Sequence, residues 1–154
     1  MQLNQSIMQE WIIKLDQDAT RQRVEGALET ARIYKHLGFI RREMNVTANY
    51  GPRYGSAGEV SKAAENAAVW NVDQDERNNK QLENIERAVK RLPRKQQEII
   101  NLKYLSSMEE AFDYNVCGEV HMSERSYSRA KTAALFSLAF ALRLEVWEEK
   151  NDGV

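Results

Sequence analysis

The stretch DYNVCGEVHMSERSYSRAKT, residues 113–132, decides the fold. It reads as two helices joined by a tight turn. Val116 and Val120 stand one helical turn apart and can face one core. Cys117 puts a small side chain where the two helices must approach closely, and it is expected to be a buried packing residue. His121-Met122 forms the turn. The backbone there calls for the positive φ that glycine adopts freely and that histidine tolerates better than most residues. Met122 is expected to turn inward, and Ser123 is a preferred N-cap for the second helix. Within that helix Tyr127 and Ala130 face the core, which leaves Glu124, Arg125, Ser128, Arg129 and Thr132 on the outer face. This is the face on which a recognition helix carries the side chains that reach base edges in a DNA groove. Ser123 and Lys131 border it and are placed for DNA backbone contacts. A plain helical hairpin with a solvated outer face has the same pattern, and spacing alone leaves both readings open.

Upstream, residues 86–105 read ERAVKRLPRKQQEIINLKYL. Leu92-Pro93 ends one helix and starts another, because proline is accepted in a first turn and not in a helix interior. Ile99, Ile100, Tyr104 and Leu105 give the second of these helices an apolar face. Arg87, Lys90, Arg91, Arg94 and Lys95 crowd the junction. Lys90, Arg91, Arg94 and Lys95 are candidate DNA-backbone contacts, since basic side chains beside a helix N-terminus attract phosphate. A solvated charged face explains the same cluster.

These residues carry a resemblance. AVKRLPRKQQEIINLKYL (88–105) followed by MSERSYSRAKTAALFSLAFAL (122–142) resembles region 4 of bacterial sigma factors, the module that reads the −35 promoter element. ARIYKHLGFIRREMNVTANYGPRYG (31–55), AAVWNVD (67–73), IERAVKRLP (85–93) and FDYNV (112–116) together resemble the ArpU family. Its members are small regulators of phage and prophage late genes for packaging and lysis in Gram-positive bacteria. The likeness runs from about Val24 to about Val146. It implies a cytoplasmic transcription activator that binds double-stranded promoter DNA and works with host RNA polymerase. Two departures stand out. The connection from Tyr104 to Asp113 is longer than in a sigma region 4, and the capping-box pattern of Ser107 and Glu110 would extend the following helix backwards. Nothing resembles the sigma region that melts the −10 element, so an auxiliary activator is implied and a substitute sigma factor is not.

The chain has 154 residues, 42% hydrophobic, with two prolines and seven glycines. That suits one or two small domains and an all-α helical bundle ending in the helix-turn-helix. A single cysteine excludes an internal disulfide and fits a reducing cytoplasm. The polar start Met1-Gln2-Leu3-Asn4 lacks the basic n-region of a secretory signal, and no apolar run approaches a membrane span. Net charge is −1 with pI about 6.2. A general DNA-coating protein would be strongly basic, whereas a sequence reader works with a local basic patch. Glu145, Glu148, Glu149 and Asp152 concentrate negative charge in the tail.

Four helical regions are expected before the hairpin. The first, near 6–15, presents Met8, Trp11, Ile12 and Leu15 on one face. The second, near 20–44, repeats Val24, Ala27, Leu28, Ala31, Tyr34 and Leu37 at helical spacing. A break dense in turn formers follows at 49–58. Two more helices are expected near 59–70 and 74–92, separated by a capping-box pattern at Asp73 and Glu76. The last helix starts at Ser123 and could run to Glu149, with Leu135, Leu138, Leu142, Val146, Phe136, Phe140 and Trp147 making it apolar over a wide arc. Core packing and self-association as a homodimer both account for that arc. The expected organisation is an N-terminal helical region at 1–50, a loop or linker at 51–58, and a helical DNA-binding domain at 59–154 with the helix-turn-helix at about 107–145.

No enzyme is expected. His36 and His121 lack ligand partners at metal-site spacing. Gly51, Gly55 and Gly58 lack the Lys-Ser/Thr ending of a phosphate loop. Glu109-Glu110 and Glu148-Glu149 are adjacent pairs that diverge on a helix. No cofactor and no metal are expected. Two other functions compete with gene regulation: a small-terminase-like protein that recognises DNA for packaging, and a module whose hairpin surface binds polymerase.

Overall fold

The computed structural model describes residues 14–38 and 57–148, and every described element but one isolated bridge is helical. The elements are α1 (Gln17–Leu37), α2 (Ala57–Lys90), α3 (Arg94–Ile100) continued by a π-helical turn (Asn101–Leu105), α4 (Asp113–Glu119) and α5 (Glu124–Leu142). The expected helix near 6–15, the part of the second helix beyond Gly38, the break at 49–56 and the tail from Glu149 lie outside the described residues.

Local sequence rules set α1. The Asp16 carboxylate accepts the Ala19 N–H at 3.0 Å as N-cap, Asp18 lies in the first turn, and Lys35 and His36 lie in the last. Asp18 and Lys35 oppose the helix dipole at its two ends. Gly38 stops the helix at φ 73, a left-handed angle that favours glycine. Val24, Leu28 and Ala31 face the core as expected, whereas Leu37 is 66% exposed and belongs to no core.

The expected pair of helices at 59–70 and 74–92 is one helix, α2, of 34 residues. Asn71, Val72 and Asp73 include neither proline nor glycine, and each costs a helix interior only a few tenths of a kcal/mol, up to ~0.7. The Asp73/Glu76 pattern can cap a helix but cannot end the one before it. α2 does end at the Leu92-Pro93 junction, as the sequence predicts. Gln97 reaches back to close it, its amide donating to the carbonyls of Lys90 at 3.0 Å and Leu92 at 2.6 Å. Carbonyls orphaned at the helix end are thereby satisfied from the next helix.

The main core joins α1, the second half of α2, α3 with its π-helical turn, and α5. Leu28, Ile85, Val89, Ile100, Tyr104, Leu135 and Leu138 lie at its centre. Fully burying each large side chain contributes about 1.5–3 kcal/mol. The described part of the N-terminal region is therefore packed in the same core as the C-terminal region. A smaller cluster of Ile99, Val116, Val120 and Tyr127 holds α4 against α5. Ile99 and Ile100, neighbours on α3, serve different clusters.

The last helix stops at Leu142 and does not continue to Glu149. Arg143 turns left-handed at φ 58, and the Leu144 N–H returns to the Ala139 carbonyl at 2.9 Å. The chain then runs antiparallel to residues 14–16. Asp16 N–H donates to Val146 O at 2.9 Å, Glu148 N–H donates to Lys14 O at 2.8 Å, and Leu15 pairs with Trp147. Buried Thr20 fixes this contact by accepting the Val146 N–H at 3.0 Å. Leu135 and Leu138 are buried as expected, but Phe140 and Trp147 are exposed and do not widen the buried arc.

Candidate nucleic-acid interface

Helix α4, a tight turn and α5 form a helical hairpin over the stretch expected to be the helix-turn-helix. Val116 and Val120 are buried one turn apart on α4. The turn is a complete Schellman motif. The His121 N–H returns to Gly118 O at 3.3 Å, the Met122 N–H returns to Cys117 O at 3.3 Å, and His121 takes φ 53. The histidine thus occupies the left-handed position the sequence assigned to it. Cys117 is half-buried where full burial was expected, and its thiol donates to Met122 O at 3.0 Å across the turn. Met122 is partly buried against the small cluster. Ser123 caps α5, its Oγ accepting the Ser126 N–H at 3.3 Å.

One carboxylate locks the two helices together. Asp113, in the first turn of α4, accepts the Tyr127 hydroxyl at 2.7 Å and the Lys131 ammonium at 2.7 Å, with Lys103 at 3.4 Å. Burial alone would raise its pKa. The hydrogen bonds from Lys131 and Tyr127 and the charges of Lys131 and Lys103 outweigh that and hold it below the usual carboxylate value. Burial pushes the Tyr127 hydroxyl well up, aided by its bond to Asp113. Lys131, read as a backbone contact from sequence, is half-buried in this clamp.

The connection before α4 departs from the expected capping box. Residues 106–112 are non-helical, and α4 begins at Asp113 with Phe112 as an N-cap that makes no side-chain hydrogen bond. Glu110 is drawn away from Ser107 by Lys103, whose buried ammonium meets it at 2.8 Å and also donates to Ala111 O at 2.8 Å. A charge-assisted contact in a protected site outweighs a surface capping box.

Glu124, Arg125, Ser128, Arg129 and Thr132 are all exposed along the outer face of α5. No described carboxylate pairs with Arg125 or Arg129. Like charges one turn apart disfavour the helix slightly, so folding gains nothing from this pair. The basic junction divides. Lys95 leans onto the end of α4, donating to Val120 O at 3.1 Å, and Arg94 stands exposed beside it. Both share Glu98, at 3.5 Å from Arg94 and 3.3 Å from Lys95. Lys90 is exposed at the end of α2, while Arg91 lines a separate cleft with Arg87 and Arg143.

The sequence reading missed Tyr114 and Asn115. Tyr114, 83% exposed, lines an open groove between α4 and α5 with Asn115, His121 and Glu124. Its signal was its phase: two residues before buried Val116, it stands on the opposite side of α4. Among the described residues no group of three or more His, Cys, Asp or Glu side chains could hold a metal, and no helix is long and apolar enough to cross a membrane.

Among curated proteins, the chain is similar to an uncharacterized phage-related protein of Listeria innocua, Lin1259/Lin1739. The two are 27% identical over 130 residues, which is 82% of this chain and 89% of that protein. No protein-family model and no solved structure matches the chain.

Proposed function

We propose that this chain is a sequence-specific DNA-binding regulator of phage origin that activates late genes for packaging and lysis together with host RNA polymerase. The observation that carries the reading is the α4–α5 hairpin with a tight left-handed turn, a capped second helix and unpaired Arg125 and Arg129 on its outer face. A phage-related relative aligned over most of both chains supports the origin, and the resemblance to ArpU regulators and to sigma region 4 supports the activity. In this reading Arg125 and Arg129 reach guanine edges or adjacent phosphates, with Glu124, Ser128 and Thr132 completing the groove face. Arg94, Lys95 and Ser123, gathered beside the turn, set the duplex register through phosphates. Tyr114 stands beside them as a further contact.

Titration of labelled late-promoter fragments tests it. Arg125→Ala should weaken binding by about 1–3 kcal/mol and relax preference at one base position. Replacing Arg94 and Lys95 with glutamine should weaken binding to all sequences alike and make the salt dependence shallower. Unchanged affinity and selectivity in Arg125→Ala and Arg129→Ala would remove the assignment. In reconstituted transcription the protein should raise output only when a housekeeping sigma factor is present. A packaging-recognition protein would instead assemble as a ring in native mass spectrometry and leave transcription unchanged.

A further inference from the structure

A second concave surface lies away from the helix-turn-helix. The last turn of α2 (Arg87), the junction after it (Arg91, Leu92, Pro93) and the end of α5 (Ala141, Arg143) line a cleft of about 570 Å³. Its three arginines come from two segments that meet only in the folded chain. Arg87 lies in the last turn of α2, Arg91 follows just past its end, and Arg143 enters at the left-handed residue that ends α5. No described carboxylate lies within ion-pair distance of any of the three. Glu83, four residues before Arg87, does not pair with it, and Glu86 turns instead to Lys35 at 3.6 Å. Three arginines therefore line one cleft with no described carboxylate paired to them.

Between them lie the apolar residues Ala88, Leu92, Pro93, Ala141 and Leu142, with Asn84 and Ser137 completing the lining. Ala88 and Leu92 are buried within the core beneath. Such a lining selects among anions. A phosphate backbone offers nothing to an apolar floor, and a nucleotide base would find no aromatic ring to stack on among the lining residues. Guanidiniums match carboxylates in bidentate geometry. An amphipathic acidic segment satisfies floor and rim together. Ser137 and Ala141 lie roughly 120–160° around α5 from Arg125 and ~18–24 Å further along it. From Arg129 the same two residues lie ~80–120° round and ~12–18 Å along, so the cleft opens off the outer face of α5.

We propose that this cleft docks an acidic, amphipathic peptide segment of a partner protein. The segment's carboxylates rest on Arg87, Arg91 and Arg143, and its apolar side chains rest on the Ala88–Leu92–Ala141 floor. The experiment titrates the full chain into a fluorescein-labelled 16-residue helical peptide carrying glutamates and leucines one turn apart. A second peptide has glutamine for every glutamate, and amide chemical shifts are recorded in parallel. Saturable binding is expected, at least tenfold weaker for the glutamine peptide and at least tenfold weaker for the Arg87→Gln/Arg91→Gln/Arg143→Gln chain. Shifts should concentrate at residues 84–93 and 137–143, with duplex DNA affinity unchanged. Arg87→Gln and Arg91→Gln, each made singly in solvent-facing positions, should each give a smaller loss at unaltered thermal stability. Absence of saturable binding, equal affinity for the glutamine peptide, or shifts centred on residues 124–132 overturns the proposal. Loss of DNA affinity in the triple variant with peptide affinity intact would make the cleft a phosphate site and overturn it as well.

Discussion

Replacing Lys103 with methionine should loosen the α4–α5 hairpin and leave the main bundle standing. Lys103 is only 8% exposed, and its ammonium ties the 106–112 connection to the π-helical turn through Ala111 O at 2.8 Å, Glu110 at 2.8 Å and Asp113 at 3.4 Å. Methionine keeps the unbranched stem and similar volume, so the packing change is small. The hydrogen bond from a charged donor to a protected carbonyl is worth about 1.5–3 kcal/mol. Breaking a fully buried ion pair costs about 3–5 kcal/mol. Here the side chains of Glu110 and Asp113 are 50% and 49% exposed and can rehydrate, so their share falls toward the ~0–1 kcal/mol of surface pairs. The expected total is about 2–3 kcal/mol, a fall in Tm of about 4–12 °C for a chain of this size.

Urea unfolding followed by circular dichroism gives the total, and amide hydrogen exchange gives its location. Protection should fall at residues 106–119 and around Tyr127, and remain near Leu28 and Leu138, which lie in the other cluster. A loss under about 0.5 kcal/mol, on the scale of an ordinary surface substitution, would refute the role given to Lys103. Uniform loss of protection across both clusters would refute the separation between them.

His121→Gly should stabilise the chain: relief of the left-handed cost of about 1–2 kcal/mol, less about 0.4–1 kcal/mol of added unfolded-state entropy, leaves a gain near 0.5–1 kcal/mol in urea unfolding, and a loss would refute the strain. Arg32 is buried with its Nε and Nη1 unpartnered and Glu29 at 3.6 Å, so Arg32→Met should hold stability or raise it by about 1 kcal/mol, whereas a loss above about 1 kcal/mol would reveal a partner for it. Asp113, with its folded pKa lowered, contributes stability that is present above its unfolded value near 3.8 and lost as pH falls through the folded value. Asp113→Asn should therefore narrow the acid-dependent part of an unfolding series, and an unchanged acid slope would contradict the clamp. The raised phenols of Tyr104 and Tyr127 contribute stability that is full below about pH 10 and declines as pH rises above it, so in an alkaline absorbance titration they should ionise only with unfolding.

What was legible in the sequence was what local stereochemistry decides. His121 was read at the left-handed position because the turn has no room for another angle, and Ser123 as a cap because an orphan N–H needs an oxygen there. Pro93 stopped α2 for an equally local reason. The misreadings came from distant partners. Ser107 and Glu110 have the spacing of a capping box, but Lys103, brought near by the π-helical turn, captures the glutamate. Leu142, Val146 and Trp147 repeat at helical spacing, yet Thr20 lies 126 residues from Val146 and draws it into an extended contact. Arg143 lined up with no motif, and its place beside Arg87 and Arg91 exists only once α5 has packed across α2.

The division of α3 between two clusters explains how the outer face of α5 can be held rigidly by so small a helical pair. α4 and the first turns of α5 bury only Ile99, Val116, Val120 and Tyr127 as a complete cluster, too few to fold alone. Ile99 anchors that cluster to the helix whose next residue, Ile100, lies in the main core. Since α5 runs from one cluster into the other, Arg125 and Arg129 sit on a rod whose far end is buried through Leu135 and Leu138. The Asp113 clamp and the Lys95 contact to Val120 then fix the remaining freedom, the rotation of α4 about that rod. The outer face is thus positioned by the whole bundle, and a change at Ile99 or Lys103 reaches it without touching an outward-facing residue.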